Sequence, residues 1–190
     1  MCRALKEGGQ MTQDLSGQSD ADLRAQFLHA MSQTACTVSI ISTDGAAGRA
    51  GVTVSAMVSV SADGPNPVLL VCVHHLSPAA KAIAENGVFC VNVLRHDQAA
   101  IADCFAGRLM MPDGDKFSCT DWVESRNGAP RIADPLAALE CRVMLNQRIG
   151  THHVFFGTVE ALHFGKSGMP LLYAARAYGV PGTLPTMACG

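Results

Sequence analysis

The chain of 190 residues is short of charge and of aromatic rings: Asp, Glu, Lys and Arg make up 16% of it and Phe, Trp and Tyr 5%, with a single tryptophan. The formal net charge is -2 and no basic block occurs, so there is no electrostatic footprint for nucleic acid. No apolar run approaches the ~20 residues that a membrane helix needs. The longest, around Pro67 to Val73, is far shorter, so no membrane span is expected. The opening residues lack the apolar core of a secretory signal. The eight cysteines, at 2, 36, 72, 90, 104, 119, 141 and 189, form no C-x-x-C pair, and several fall inside apolar runs. Scattered thiols of this kind fit a reducing cytoplasm better than a disulfide framework. A Walker loop, a strand followed by G-x-G-x-x-G and a G-x-S-x-G elbow are all missing. A Rossmann half-domain is thereby excluded, and no local signature marks a hydrolytic nucleophile.

What is present is apolar: 48% of the residues are hydrophobic. That allows one domain with a substantial core and leads one to expect a buried subunit interface. Residues 1–18 read as a polar tail and 181–190 as an irregular one, with one domain over 19–180. Ser19 or Asp20 can cap a helix whose apolar face is Leu23, Phe27, Ala30 and Met31. A strand over Cys36–Thr43 follows. Residues 52–61 alternate strictly, with Val52, Val54, Ala56, Val58 and Val60 on one side and Thr53, Ser55, Met57, Ser59 and Ser61 on the other. Period two makes this one strand, or two joined by a kink. Val68–Val73 reads as a strand buried on both faces. Ser77-Pro78 opens a short helix that stops at Asn86-Gly87. Val88–Leu94 is another buried strand, and Asp97 can cap a helix to Phe105. Residues 106–130 give no clear pattern. Two long strands, 136–147 and 153–163, turn at Ile149-Gly150-Thr151, and Pro170–Ala174 is the last strand. Six or seven strands with about three peripheral helices, without regular alternation, predict a mainly antiparallel β-barrel.

Three features can carry chemistry. The hydroxyl row Thr53, Ser55, Ser59, Ser61 is either a solvated strand face or a shelf for a planar polar ligand. The doublets His74-His75 and His152-His153 are either separate hydrogen-bonded imidazoles or, if they meet in space, ligands for a metal-dependent hydrolase, although no zinc spacing is matched. Asn92 interrupts an apolar strand, so its amide needs partners, from the backbone or from a ligand. Phe155 and Phe156 read as core or dimer contacts.

Several segments in order then resemble one family. Gly51-Val-Thr-Val-Ser-Ala-Met-Val-Ser-Val-Ser61 is similar to the flavin-contacting strand of the short-chain flavin reductases. Leu69-Leu-Val-Cys-Val73 with Ser77, and Phe89-Cys-Val-Asn-Val-Leu94 with Gln98 and Phe105-Ala-Gly107, agree in register. So do Leu139-Glu-Cys141, Gly150-Thr-His-His-Val-Phe-Phe-Gly157, and Pro170-Leu-Leu-Tyr173 with Arg176 and Tyr178. The likeness covers about residues 23–180.

The resemblance implies an antiparallel Greek-key FMN-binding split barrel, working as a homodimer with the flavin in a groove near the interface. It implies hydride transfer from NADH or NADPH to FMN or FAD. Reduced flavin would then pass by diffusion to a partner flavin-dependent monooxygenase. The same fold also serves electron carriers and sensors, and reductases of other acceptors such as a corrinoid or a ferric chelate. By position, Thr53, Val54, Ser55 and Ala56 would line the isoalloxazine and ribityl chain. Ser77 would meet phosphate at a helix N-terminus. Phe105, Ala106 and Gly107 would close over the ribityl-phosphate end. His152 would lie near the nicotinamide as the catalytic histidine, and Tyr173, Arg176 and Tyr178 would edge the flavin or the dinucleotide. Asn92 falls in a matching segment and joins this cofactor-binding set. Where relatives carry Asn-Arg this chain has His74-His75, and where many carry Gly-Asp-His it has Gly-Thr-His.

Overall fold

A computed structural model describes residues 19–184. The tail expected over 1–18, and that beyond 184, lie outside the described residues. The described chain divides into two units after Thr34.

The first unit is helix α1 (Asp20–Ser32). Ser19 caps it, its Oγ accepting from the Asp22 N–H at 3.2 Å. The apolar face expected at Leu23, Phe27 and Met31 is exposed.

The second unit is built on strands β1 (Cys36–Thr37), β2 (Ser39–Thr43), β3 (Ala50–Val54), β4 (Met57–Ser61) and β5 (Val68–His74). Helix α2 (Pro78–Asn86), strand β6 (Val88–Val93) and helix α3 (Ala99–Phe105) follow. Short β7 (Trp122–Glu124) and β8 (Pro130–Ile132) precede the long hairpin β9 (Ala137–Ile149) and β10 (His152–Phe164). Strands β11 (Leu172–Ala174) and β12 (Ala177–Gly179) close the order.

Seven strands form one antiparallel sheet in the order β3-β2-β6-β9-β10-β5-β4. Its two edge strands, β3 and β4, are joined by only two residues, Ser55 and Ala56. A sheet whose ends are tied so closely must curl on itself. The Cys72 N–H donates to Ala56 O at 3.1 Å, which extends the β4–β5 ladder one rung into the join. The result is a barrel split between β3 and β4, with non-sequential neighbours β2–β6 and β10–β5, as the strand tally predicts.

Two cores flank β2 and β6. Inside the barrel, Ile41, Val71, Phe89, Val91 and Phe155 are fully buried, and α2 adds Ala79, Ala80 and Ile83. Outside, Ile40, Leu94, Phe105, Phe117 and Ile132 pack together, with α3 in this layer. With side chains needed on both faces, β6 is buried at every position.

Several expectations change. The alternation over 52–61 reverses phase at Ser55-Ala56: Val52 and Val54 pack on the first core, but beyond the kink Met57 does so. Val58 and Val60 are left exposed at 57% and 49%. The sequence period survives the kink while the chain rotates through it. Strand β5 is buried on one face, not two: Leu69, Val71 and Val73 are inside and Leu70 and Cys72 are half-buried. The strand over 36–43 breaks at Val38. The helix expected from Asp97 starts with a 3₁₀ turn (His96–Gln98), and the Asp97 carboxylate pairs with Arg95 at 2.8 Å rather than capping. Strand β12 lies beyond Ala174, where the sequence suggests no further strand, and β7 and β8 fall in a segment without a sequence pattern.

Candidate functional site

Three clefts meet around β3. One of about 260 Å³ lies against its start, lined by Arg49, Gly51, Ser77, Asp115, Lys116 and Phe117 among others. A second, about 210 Å³, runs along Val52–Ala56 to Cys72, His74 and His152. The third, about 160 Å³, holds Thr53, Val54 and Ser55 against Ala106, Arg108, Tyr173 and Tyr178. Each is smaller than the ~300 Å³ at which small-molecule sites begin. They share residues of one strand, however, and together make one trough long enough for an extended ligand.

The strand that floors it is shaped by what lies behind. At Gly51 a Cβ would stand 2.6 Å from Cε1 of Phe105, so only glycine lets β3 pass over that ring. The Thr53 hydroxyl donates to Ala102 O at 2.7 Å, which ties β3 to α3. The hydroxyl shelf is therefore narrower than the sequence row implies, with Ser55 the exposed member that lines the clefts.

At the wide end, Ser77 is the N-cap of α2 and its side chain makes no cap bond, which leaves the hydroxyl free at the cleft; Pro78 at N1 has no N–H and the Ala80 N–H donates to Ser77 O at 3.0 Å, so the Ala79 N–H is the donor left in the first turn. Arg49 and Lys116 flank it. Arg49 is held by Asp115 at 2.9 Å and lies 4.4 Å over the Phe117 ring. Two cations, the Ser77 hydroxyl and the positive end of α2 make an anion cradle, with Asp115 as the carboxylate already inside it.

At the narrow end, the Tyr178 hydroxyl donates to the Asp103 carboxylate at 2.8 Å, and Arg108 reaches the same carboxylate at 3.3 Å. Loss of solvent, then the hydrogen bond to Asp103, pushes the Tyr178 phenol up to about 12, so it stays a donor. Arg108 also lies 5.6 Å from the centre of the Tyr173 ring.

In the middle cleft His74 and His152 are register partners on β5 and β10. Their rings stand 5.0 Å apart, nearly perpendicular. His152 Nδ1 lies 3.0 Å from the Thr151 hydroxyl. The Leu76 N–H donates to His74 Nδ1 at 3.2 Å, which places the proton of a neutral ring on Nε2. The doublets thus meet in space, with His75 4.9 Å from His74. Among the described residues, no three His, Cys, Asp or Glu side chains are placed to hold one metal ion.

The structure therefore gathers Thr53, Val54, Ser55, Ala56, Ser77, Ala106, His152, Tyr173 and Tyr178 around one trough. Four of the expected site residues lie elsewhere. Asn92 is fully buried, its amide donating to Ile40 O and Ser42 Oγ and accepting from the Ile132 N–H at 2.8 Å. It locks β8 to the sheet and has no capacity left for a ligand. Phe105 is 2% exposed inside the outer core, edge-on to Phe117. Gly107 follows α3 in the left-handed region between Ala106 and Arg108, and adds no side chain to the narrow cleft that those two line. Arg176 sits at the exposed tip of the β11–β12 hairpin, where Ala175 and Arg176 both take positive φ (48° and 63°). Residues that sequence reasoning missed are Arg49, Arg108 and Lys116. The Gly-Arg-Ala-Gly run at 48–51 was a signal for the first, and the unpatterned 106–130 segment hid the other two.

The flavin reductase like domain family matches residues 31–181. The chain belongs to that family. It is 40% identical over 166 residues to "FMN reductase (NADH) RutF 2" of Methylorubrum extorquens strain PA1, covering 87% of this chain and 94% of that one. Among solved structures it is similar to nitrilotriacetate monooxygenase component B from Mycobacterium thermoresistibile. That match has TM-score 0.77, 30% identity, and covers 89% and 94% of the two chains. It is also similar to BorF, the flavin reductase component of a bacterial two-component tryptophan halogenase. There the TM-score is 0.72 at 26% identity, covering 84% and 99%. The flavin reductase family thus has the split barrel derived above. No helix of the described residues is long and apolar enough to cross a membrane.

Proposed function

We propose that this protein reduces FMN with NADH and releases the reduced flavin to a separate oxygenase, with FAD and NADPH as the less favoured alternatives. The observation that carries the reading is the single trough along β3. It has a phosphate cradle at one end and a histidine pair beside its middle, on a family member whose relatives include an NADH-dependent FMN reductase.

Flavin bound there supplies the hydride-accepting ring system. The protein's own tasks are positioning and electrostatics. The β3 backbone and Ser55 offer hydrogen bonds along one edge of a flat ligand. Ser77, Arg49 and Lys116 hold a terminal phosphate, which requires Arg49 to share or leave Asp115. Hydride transfer requires the two rings stacked at roughly 3–3.5 Å, and His152 stands where it orients the second ring. In a single chain the trough is open to solvent.

Replacing His152 with alanine is expected to slow flavin-dependent NADH oxidation on the order of 10- to 100-fold, an effect of the size general acid–base and orienting groups supply. Flavin affinity is expected to stay within about threefold. Stopped-flow reduction with a parallel flavin titration separates the two. An unchanged rate with an unchanged Michaelis constant for NADH removes His152 from the reaction.

The working form is a homodimer. On the outer face of the sheet, Val58, Leu70, Phe156 and Leu145 are successive register partners across β4, β5, β10 and β9. This apolar row, with Val58 57% and Leu145 50% exposed, continues along the same face to Cys72, His74 and His152. A second copy laid there covers apolar surface and roofs the trough. Light scattering should give the mass of two chains, and Leu145→Glu should give one. A single-chain mass for the unaltered protein at micromolar concentration is the contrary result. The free thiols of the described cysteines fit residence in the cytoplasm.

A further inference from the structure

One pair of thiols has no part in the chemistry above. Cys104, near the end of α3, is fully buried, and the half-buried Cys119 closes a 3₁₀ turn over Lys116–Cys119. That turn lies on α3. The Phe105 and Phe117 rings meet edge-on at 5.1 Å, and the Cys104 thiol donates to the Lys116 carbonyl at 3.6 Å. The Lys116 ammonium reaches back to the Phe105 carbonyl at 3.3 Å. Side chains three apart in a 3₁₀ turn eclipse one another, so Cys119 stands on the side of the turn that Lys116 directs at the end of α3. There it packs against the outer core, and its thiol hydrogen-bonds with that of Cys104.

The second observation is what the two cysteines bracket. The segment between them, 105–118, supplies Ala106 and Arg108 to the narrow cleft and Asp115, Lys116 and Phe117 to the wide one. Neither cysteine lines any of the three clefts. We infer that Cys104 and Cys119 form a reversible disulfide, a peroxide-responsive clamp on the segment that walls both ends of the trough. Hydrogen peroxide converts the more accessible Cys119 thiol to a sulfenic acid and releases one water. The Cys104 sulfur then attacks the Cys119 sulfur, the S–O bond breaks, and a second water leaves. Two thiols and one peroxide thus give one disulfide and two waters, and a cytoplasmic thiol reductant returns the two electrons and two protons. Drawing the sulfurs from hydrogen-bonding contact to the ~2.0 Å of an S–S bond pulls the turn, with Lys116 and Phe117, against α3. Flavin passes that wall more slowly as a result.

Loss of solvent, then the bond to Cys104, push the Cys119 thiol up to about 12. It stays protonated in neutral solution, so the clamp answers sustained peroxide and not a brief pulse. A source of peroxide rests on the reductase reading. Released reduced flavin that meets dioxygen in place of its oxygenase passes two electrons and two protons to it, giving oxidised flavin and hydrogen peroxide. The disulfide itself rests on the geometry alone.

The test treats the flavin-free full chain with hydrogen peroxide, blocks the remaining thiols by alkylation, and maps the peptides by mass spectrometry without reduction. A peptide joining Cys104 to Cys119 is expected, and dithiothreitol should abolish it. The oxidised protein should melt roughly 5 °C higher, because the link closes a short loop in the unfolded chain. In stopped-flow fluorescence it should exchange FMN on the order of tenfold more slowly. Cys119→Ser, or Cys119→Ala where the hydroxyl disturbs packing, should keep the turnover and FMN exchange of the reduced protein. It should lose the linked peptide, the melting shift and the slowing. Peroxide that oxidises other cysteines and leaves Cys104 and Cys119 unlinked overturns the site. A linked protein with unchanged FMN exchange overturns the clamp, as does slowing that persists in Cys119→Ser. A linked, more stable protein that oxidises NADH with neither FMN nor FAD refutes the reductase reading and leaves the disulfide standing.

Discussion

Tryptophan in place of Ser55 is expected to raise the flavin dissociation constant on the order of 100-fold, about 3 kcal/mol, with little change in thermal stability. Ser55 is exposed at the two-residue join between β3 and β4, and it lines both the middle and the narrow cleft. No core side chain packs behind it, so a bulky ring there costs the fold little. The indole occupies space that a flat ligand along β3 has to use. Flavin fluorescence titration beside a melting curve measures both quantities. Unchanged flavin affinity in a folded variant places the ligand away from β3 and removes the basis of the functional reading.

The second large effect concerns the barrel itself. Gly157→Val is expected to cost about 3 kcal/mol or more, and to lower the melting temperature by roughly 10 °C for a domain of this size. Gly157 lies on β10 with its missing side chain directed at the ring of Phe89, and a Cβ there would also stand 3.0 Å from Cβ of Cys141. Phe89 and Cys141 are both fully buried, so neither has room to yield. The first core is therefore closed at this point by the absence of a side chain. Phe89→Leu in the same chain should recover part of the loss seen with Gly157→Ala, because the smaller side chain vacates the contact. Strict additivity of the two substitutions contradicts that packing.

What the sequence made legible divides along physical lines. Local signals held where local forces decide the outcome. Pro78 opens α2 and Gly87 ends it in the left-handed region, and Ser19 caps α1. The period-two run over 52–61 left open one strand or two joined by a kink, and the structure has two. It misplaced the apolar face beyond the kink because alternation records relative phase and not which way the chain turns. The burial of β6 on both faces was readable from its apolar run, interrupted at Asn92 alone, whereas a similar run in β5 is buried on one face only.

For the site, the β3 residues could be read because they lie on one strand in a distinctive order. Asn92 and Phe105 sit in segments that resemble the family equally well, yet both are consumed by packing. Asn92 bonds three groups of the β2, β8 layer, and Phe105 fills the space that Gly51 leaves. A sequence pattern shows that such residues matter without showing to what. Arg49, Arg108 and Lys116 reach the trough only through tertiary contacts, with Asp115, Tyr178 and the backbone carbonyl of Phe105. Apart from the glycines at 48 and 51 that flank Arg49, nothing in their local sequence distinguishes them from solvated charges.

The measurement that bears most directly on the central claim is the oxidation of NADH by flavin-stripped protein, followed with and without added FMN. The account predicts negligible oxidation alone, turnover that saturates with FMN, and its loss in the Ser55→Trp protein. Tight flavin binding without NADH oxidation, with either FMN or FAD, would contradict it and make the trough the seat of an electron carrier or a sensor.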